Sequence, residues 1–518
     1  MADGAPELPD DIETLKAMVL ATRAEVAQLR ATNAEAEARI ERLHALLKTL
    51  ERARYGRRSE ALDPDQHEFA FEEIQTGLGA VEATLDAIAK PSQPRASRAR
   101  KKLPAHLERV EIVVEPETTS CRGCGSAERV KIGEDVSERL DVLPVRFRVI
   151  VTRRPRYACA ACHDGVAQAP APAHLIEAGI PTEGLLAQIA VAKYADGLPL
   201  YRQEAIYGRE QIELPRNLMA GWMGRIGFHL EPLADRVLHH IRSGERIFAD
   251  ETTLPTLVPG AGQAKTAWLW TYARDDRSFG GTGPPMVAYR FEDSRGGKCP
   301  AHHLAGFAGL LQSDGYAAYT RLADPQRAGG PVTLAACWAH LRRYLYELHV
   351  AGLSNTATWS VERMAALWRI EEEVRGRKPE IRLVARRATS AAIVAELFGR
   401  WETELQRIPR KSKLADAIRY GIRRRAAFER FLHDGRLDID NNTVERTIRP
   451  QTITRKNSLF AGSDGGGRTW AILATLLATA KLNNVDPHAW LKLTLERIAN
   501  GWLNRELDAL MPWNYRPA

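Results

Sequence analysis

Two acidic residues lie where apolar segments of the sequence end. Asp250 follows the first apolar residues of segment 246–257, and Asp314 ends the apolar run of segment 309–316. We expect both segments to form short buried strands, because their hydrophobic residues are contiguous and turn residues follow. Two carboxylates delivered by neighbouring strand ends can bind a divalent cation that prefers oxygen ligands, such as Mg²⁺ or Mn²⁺.

A third acidic residue, Glu445, lies in segment 440–450, which predicts a short helix. Asp440 or Asn441 is expected to be its N-cap, and Pro450 is expected to end it. Three carboxylates can hold two cations, which together activate the attacking and leaving oxygens of a phosphoryl transfer. The sequence therefore indicates metal-dependent phosphodiester chemistry, with all three carboxylates as catalytic residues and metal ligands.

Each carboxylate also has a simpler interpretation. Glu251 competes with its neighbour Asp250 for the role of ligand, and either can be a residue of a strand end. Asp314 precedes a glycine and can simply open a turn. Glu445 can pair with Arg449 one helical turn further on. The order of the three in a basic chain favours the catalytic interpretation.

The composition indicates a folded protein of several domains with a polyanionic partner. The chain has 518 residues, 44% of them hydrophobic and 27% charged, and a net charge of +8. This length exceeds what one hydrophobic core accommodates, and the positive charge favours nucleic acid. No apolar run approaches the ~20 residues of a membrane helix, and the N-terminus does not resemble a signal peptide. We therefore expect a cytoplasmic protein without a membrane partner.

Two segments concentrate the basic residues. Segment 410–425 holds seven basic residues and one acidic residue, and segment 91–102 holds five basic residues and no acidic one. Such clusters bind phosphates in a salt-dependent manner. The predicted nucleic-acid-binding residues of the first segment are Arg410, Lys411, Lys413, Arg423, Arg424 and Arg425.

The N-terminal part of the chain predicts a coiled coil. Hydrophobic residues follow a heptad from Ile12 to Leu50, with β-branched residues at several a positions, leucines at several d positions, and Asn33 at an a position. This pattern is typical of a parallel dimer, although an amphipathic helix packed on its own chain is the alternative. We assign residues 1–60 to a dimerisation helix and residues 61–104 to a linker.

Four cysteines predict a structural zinc site. Two Cys-x2-Cys pairs with strand-like sequence between them are typical of a zinc ribbon, here assigned to residues 105–175. Reduced core cysteines are the alternative, and we expect Cys299 and Cys337 to be such buried free thiols. The predicted Zn²⁺ ligands are Cys121, Cys124, Cys159 and Cys162.

Residues 176–243 predict a helical region. Helices are expected over 182–195, 200–207 and 215–224, and their spacing is compatible with a helix-turn-helix. In that arrangement the third helix would offer Arg216 and Asn217 to DNA. A plain helical domain explains the same pattern equally well.

The sequence after this region predicts the catalytic core. Residues 244–460 indicate three strands, a helix, a strand, a helix and a strand, which is the order of an RNase H-like α/β sheet, with a helical insertion at about 345–435. One helix is expected around 301–306. We interpret residues 462–468 as a flexible turn within a short helical C-terminal domain, 461–518. The fold class is therefore multidomain α+β.

The chain resembles the transposases of the insertion sequence 66 family over nearly its whole length. The residues that carry the resemblance are segments 248–252, 269–276, 313–319, 337–343 and 440–450, together with 133–140 and 480–487. Asn484 departs from the family pattern, which has a glycine there, and this departure questions the geometry of that turn.

The resemblance implies a DDE-type catalytic domain with Asp250, Asp314 and Glu445 as its triad. It also implies an N-terminal coiled coil, a zinc-binding DNA-recognition region, and small accessory proteins of the same element as partners. We then expect a bacterial, nucleoid-associated protein that cleaves element ends at the terminal repeats and joins them to target DNA. The alternatives are an RNase H-like nuclease without strand transfer and a non-catalytic zinc-ribbon DNA-binding protein.

Overall fold

A computed structural model describes residues 11–23, 26, 147, 150, 156–158, 166–168, 172–176, 180–257 and 264–516. The chain divides into two compact units, and most of the described residues belong to the one that contains residues 172–518. Residues 12–23 are helical, and their side chains are exposed except for the half-buried Leu15. The remainder of the predicted coiled coil lies outside the described residues. No helix in the described part of the chain is long and apolar enough to cross a membrane.

Two short strands flank the second predicted cysteine pair. β1 (Arg156–Ala158) and β2 (Val166–Gln168) form an antiparallel pair in which Ala158 lies opposite Val166. The four predicted zinc ligands lie outside the described residues. A hairpin at this place is compatible with the predicted ribbon, in which a metal-binding turn connects two strands.

Three helices precede the main sheet: α1 (Glu183–Tyr194), α2 (Leu200–Arg209) and α3 (Arg216–Arg242). The predictions for α1 and α2 are confirmed, whereas the prediction that the third helix ends at residue 224 is wrong. The helix continues because Ile226, Leu230 and Leu233 extend a buried apolar stripe at helical spacing.

The main sheet has five strands: β3 (Arg246–Leu257), β4 (Ala264–Arg274), β5 (Met286–Glu292), β6 (Leu310–Ser313) and β7 (Thr333–Ala336). The spatial order is β5-β4-β3-β6-β7, so the first strand of the core is central. β4 is antiparallel to β3 and β5, while β6 is parallel to β3 and β7. The sheet is therefore mixed, with an antiparallel half and a parallel half.

Helical turns connect the parallel strands. α4 (Lys298–His303) precedes β6, and a 3₁₀ segment (Ala317–Ala323) lies between β6 and β7. α4 begins three residues earlier than the predicted 301–306. A parallel connection needs such a crossover, because the chain must return to the same edge of the sheet before the next strand begins.

A long helical insertion follows β7. It comprises α5 (Trp338–Val350), α6 (Asn355–Val374), α7 (Pro379–Ala385), a π-helical turn (Arg386–Ser390), α8 (Ala391–Leu405), α9 (Lys413–Arg423) and α10 (Arg425–Glu429). These helices share an apolar core that includes the fully buried Trp338, Phe398 and Trp401. The same core includes Leu310 of β6 and Ala336 of β7, so the insertion packs against the parallel half of the sheet.

The chain then returns to the sheet through α11 (Asn442–Asn457). The prediction that Pro450 ends this helix is wrong, because Pro450 lies inside it and is exposed. A proline within a helix removes one backbone hydrogen bond. Here the carbonyl that loses its donor belongs to the exposed Arg446, where water can replace the lost bond. The helix continues because Ile448, Gln451 and Thr454 remain buried.

Two α-helices follow, α12 (Asp464–Leu482) and α13 (Pro487–Ala499), and then two 3₁₀ segments (Asn504–Leu510 and Pro512–Asn514). The expectation of a flexible turn at 462–468 is wrong, because Ser463 caps α12 by accepting from the backbone N of Gly466 at 3.1 Å. Gly467 lies against the sheet, where a Cβ would be 2.4 Å from the Phe291 ring. The glycines thus permit close packing of a helix.

α12 protects the edge strand β5. The hydroxyl of Thr475 accepts from the backbone N of Tyr289 at 2.8 Å, and Thr479 binds both the backbone N and O of Val287. An uncovered edge would expose these backbone groups to other chains. The C-terminal helices are therefore part of the core structure, and α13 reaches α1 through His488 and the carbonyl of Gly184.

The turn between α12 and α13 contains Asn484, the departure from the family pattern. Asn484 adopts a φ of +56°, in the left-handed region that glycine enters without a steric cost. Asparagine tolerates this region better than most residues. The turn therefore keeps the backbone conformation that a glycine would have.

Candidate active site

Asp250 lies within β3, and Asp314 directly follows β6, which is parallel to β3. The prediction that Asp250 lies at the end of a short strand is wrong, because β3 continues to Leu257 in its pairing with β4. Phe248 of β3 is paired with Gln312 of β6, and Asp250 and Asp314 each follow two residues later. Residues in register on parallel strands point to the same face, with a strand spacing of about 4.8 Å. The continued register places the two carboxylates side by side at the point where β6 ends.

A tight turn fixes Asp314. Its Oδ1 accepts from the backbone N of Tyr316 at 2.8 Å, and Gly315 between them adopts a φ of +83°. The insertion also contacts this turn, since the Tyr420 hydroxyl donates to the carbonyl of Asp314 and Arg424 Nη2 donates to the carbonyl of Gly315 at 3.2 Å. The orientation of Asp314 therefore depends on the helical insertion as well as on the sheet.

Glu445 lies in the first turn of α11, 131 residues after Asp314, and side-chain contacts bring the chain back to the sheet. The Gln312 amide donates to the carbonyl of Asp438 at 2.8 Å and accepts from its backbone N at 2.9 Å. Asn441 Nδ2 donates to the carbonyl of Ala249 at 3.2 Å. These bonds anchor the start of α11 beside β3 and β6.

Buried ion pairs hold the same return segment. Asp438 accepts from Arg246 at 3.0 Å and from Arg382 at 2.8 Å, and Glu371 accepts from Arg386 through both carboxylate oxygens at 2.6 Å. Arg246 begins β3, while the other groups belong to the insertion or to the return segment. The network thus connects the insertion to the strand that carries Asp250.

Electrostatics indicate that the three carboxylates share one environment. Burial, followed by repulsion from Glu251, Asp314 and Glu445, raises the pKa of Asp250 to about 8. Like charges in a partly desolvated pocket repel one another, so a cation would be bound favourably there. A bound cation would lower the pKa of Asp250 again. An all-oxygen carboxylate set of this kind fits Mg²⁺ or Mn²⁺. Asp250, Asp314 and Glu445 are the residues that would hold it.

Glu251, the alternative ligand, is engaged elsewhere. Its side chain is 1% exposed and accepts from Arg295 Nη2 at 2.7 Å and from the Tyr319 hydroxyl at 2.9 Å. Burial raises the pKa of Glu251, and these two bonds oppose the rise. Both carboxylate oxygens therefore have protein donors, which favours Asp250 over Glu251 as a ligand.

The predicted nucleic-acid-binding residues of the insertion fall into three environments. Four are exposed around α9, namely Arg410, Lys411, Lys413 and Arg423. Arg424 is half-buried against the Asp314 turn, where its guanidinium also stacks on Tyr420 at 4.4 Å. Arg425 pairs with Glu402 at 2.9 Å and with Glu429 at 2.7 Å. The exposed group is the part of the cluster that can meet DNA phosphates without breaking internal contacts.

Arg216 and Asn217 lie at the start of α3, and both are exposed. The backbone N of Arg216 donates to Glu204 of α2 at 3.1 Å, which joins the two helices. Both the helix-turn-helix interpretation and that of a plain helical domain are compatible with these contacts.

Two further side chains lie beside the site, and the sequence alone did not assign either of them to it. His340, in the first turn of α5, has Nδ1 3.6 Å from Glu445 Oε1. Cys337, interpreted from the sequence only as a buried thiol, is indeed buried and free, and it lies beside His340 and Glu445. The Cys-x2-His spacing is a signal that could have identified both.

Four protein-family models match this chain. Residues 178–469 match the model of the transposase IS66 family, and residues 475–513 match the IS66 C-terminal element. Residues 118–163 match the zinc-finger binding domain of transposase IS66, and residues 42–112 match the model described as transposase C of IS166 homeodomain.

Two proteins of Sinorhizobium fredii (strain NBRC 101917 / NGR234) are similar along nearly their entire length. The uncharacterized protein y4qI is 58% identical, covering 99% of this chain and 98% of its own. The uncharacterized protein y4jD is 40% identical, over 98% of this chain and 97% of its own length. The family matches define a transposase with a zinc-finger domain. The chain belongs to the IS66 transposase family.

Proposed function

We propose that the protein is a DNA transposase that cleaves the ends of an insertion sequence and joins them to target DNA, with Asp250, Asp314 and Glu445 as catalytic residues. The observation that carries this proposal is the arrangement of the three carboxylates. Asp250 and Asp314 follow paired residues of β3 and β6, and the contact of Asn441 with Ala249 at the start of α11 supports Glu445 as the third. The strand order β5-β4-β3-β6-β7 supports an RNase H-like core.

The three carboxylates are proposed to hold two Mg²⁺ or Mn²⁺ ions. Ions bound there would activate a water or a 3′-hydroxyl as nucleophile and neutralise charge on the phosphate. Asp314 is held in orientation by its turn. The partly buried Asp250, whose pKa is raised to about 8, would bind a cation as a carboxylate. Because phosphoryl transfer depends mainly on positioning and charge stabilisation, a rigid carboxylate set is the principal contribution of the protein.

The DNA-binding surfaces are proposed from residues outside this centre. The exposed basic residues around α9 would contact backbone phosphates, which position the duplex without reading its sequence. Cys121, Cys124, Cys159 and Cys162 are proposed to bind Zn²⁺ in the zinc-finger domain, which would recognise the terminal inverted repeats. Arg216 and Asn217 would add contacts from the start of α3.

The proposed assembly is a dimer that handles both element ends together. The heptad of residues 12–50 supports dimerisation through a parallel coiled coil. The proposed domains are residues 1–60, 61–104, 105–175, 176–243, 244–460 and 461–518. The family likeness also supports small accessory proteins of the same element as partners.

A strand-transfer assay tests the proposed function. The protein is incubated with a pre-cleaved element end and a target plasmid in Mg²⁺, and joined products are counted. We expect joining by the wild type and none by Asp250→Asn. Cleavage of an uncut end without any joining would indicate a nuclease. End binding without either reaction would indicate a DNA-binding protein or a requirement for the accessory partners.

A further inference from the structure

Cys337, His340 and Glu445 form a cluster of mixed ligand atoms at the edge of the proposed centre. One potential ligand atom from each side chain lies within 4.8 Å of the other two. The cluster differs from the Asp250–Asp314 pair because it offers sulfur, nitrogen and oxygen. Such a set suits a softer cation than Mg²⁺, which is usually bound through oxygen.

The Cys337 sulfur lies at the start of a helix. Cys337 is the N-cap of α5, and its Sγ accepts from the backbone N of Asn441 at 3.2 Å. This N–H donor and the positive end of the helix dipole would stabilise negative charge on a sulfur that binds a cation. Without a cation, burial, followed by repulsion from Asp440 and Glu445, raises the pKa of the Cys337 thiol well above its usual value.

The spacing of the other two groups is that of ligands rather than of a hydrogen-bonded pair. His340 Nδ1 and Glu445 Oε1 are 3.6 Å apart, which is too long for a hydrogen bond. Two ligands with bonds of about 2.1 Å and a tetrahedral angle would be about 3.4 Å apart. His340 Nδ1 is also buried, with no hydrogen-bond partner in the described part of the chain.

We propose that Cys337, His340 and Glu445 bind a borderline-soft divalent cation such as Zn²⁺ or Co²⁺. Three protein ligands leave a fourth position open, as in zinc sites that bind water or substrate. Binding releases the Cys337 proton, and the thiolate and carboxylate together balance the charge of the cation. The site shares Glu445 with the proposed catalytic centre, and its occupancy does not require DNA.

A Co²⁺ titration of the full-length protein tests this site without DNA. Cobalt bound to a thiolate absorbs in the near ultraviolet, and the four cysteines of the zinc-finger domain contribute the same signal to every variant. We expect Cys337→Ser to lose part of the wild-type absorbance. In His340→Ala, the same part of the absorbance should appear only at Co²⁺ concentrations about tenfold higher or more. Cys299→Ser, a change at another buried free thiol, is the matched control and should keep the full signal.

If Cys337→Ser and His340→Ala show the same Co²⁺ absorbance and affinity as the wild type, the proposal is overturned. If circular dichroism shows that Cys337→Ser does not fold, His340→Ala and Glu445→Gln decide the result, since both side chains are partly exposed. Unchanged Co²⁺ binding in these two variants would then refute the site. Because the titration contains no DNA, its failure would leave the proposed transposase function standing.

Discussion

The cation-free protein should be destabilised by Asp250 at high pH. Its pKa rises from 3.8 to about 8 in the folded state, so the folded protein binds a proton that the unfolded chain releases between these values. The stability that depends on protonation of Asp250 is therefore fully present below about pH 4, and it is lost as the pH rises to about 8. At about 1.4 kcal/mol per pH unit, the loss is at most roughly 6 kcal/mol.

Asp250→Asn removes the charge and keeps the acceptor that binds the backbone N of Glu251. We expect it to raise the free energy of unfolding by about 2–6 kcal/mol at about pH 9, and to have little effect near pH 4. The assay is urea unfolding followed by circular dichroism in buffer stripped of divalent cations. Asp416→Asn, at an exposed side chain, is the control and should show no such pH dependence.

Added Mg²⁺ should stabilise the wild type at about pH 9, because a ligand that binds only the folded state raises its stability. The Asn variant should respond less, since one proposed ligand is neutral. An equal difference in unfolding free energy between the wild type and Asp250→Asn at both pH values would contradict the raised pKa of Asp250. That result would mean that the three carboxylates do not share a desolvated pocket.

Other predictions concern the insertion, the C-terminal helix and the DNA surface. Glu371→Gln should destabilise the protein by about 3–5 kcal/mol in urea unfolding, because Arg386 would remain buried without its charged partner; an effect below about 1 kcal/mol would contradict this role. Gly467→Ala should lower thermal stability by about 1–3 kcal/mol, since its Cβ would meet Phe291; an unchanged melting temperature would show that the helix can shift. Arg410→Ala should reduce the slope of log affinity against log salt for DNA by about 0.9, measured by fluorescence anisotropy; an unchanged slope would exclude a phosphate contact.

The sequence predicted the parts of the site that depend on local pattern. The apolar runs before Asp250 and Asp314 are strand signals, and they became β3 and β6 in adjacent, parallel positions. The succession of the five core strands along the chain also followed from the pattern of apolar segments and turns. Both features depend on hydrophobic periodicity, which is readable in a single sequence.

The features that sequence reasoning missed depend on contacts between distant segments. Pro450 is normally a helix stop, and only the burial of its helical neighbours carries α11 past it. In the sequence, the glycines before Trp470 indicate a loop. In the structure they begin a helix, and Gly467 allows that helix to lie against the ring of Phe291. Likewise, the bonds from Gln312 that return the chain to Glu445 span more than a hundred residues. Tertiary packing overrides local propensity at such positions.

The most direct test of the proposed catalytic site is Mg²⁺-dependent cleavage of DNA that contains an element end, by the wild type and by Glu445→Gln. DNA binding is measured in parallel, and Glu396→Gln, at a similarly exposed side chain, is the matched control. We expect Glu445→Gln to lose cleavage and keep DNA binding, while the control keeps both. Cleavage by Glu445→Gln at the wild-type rate would contradict the claim that α11 returns the third catalytic carboxylate to Asp250 and Asp314.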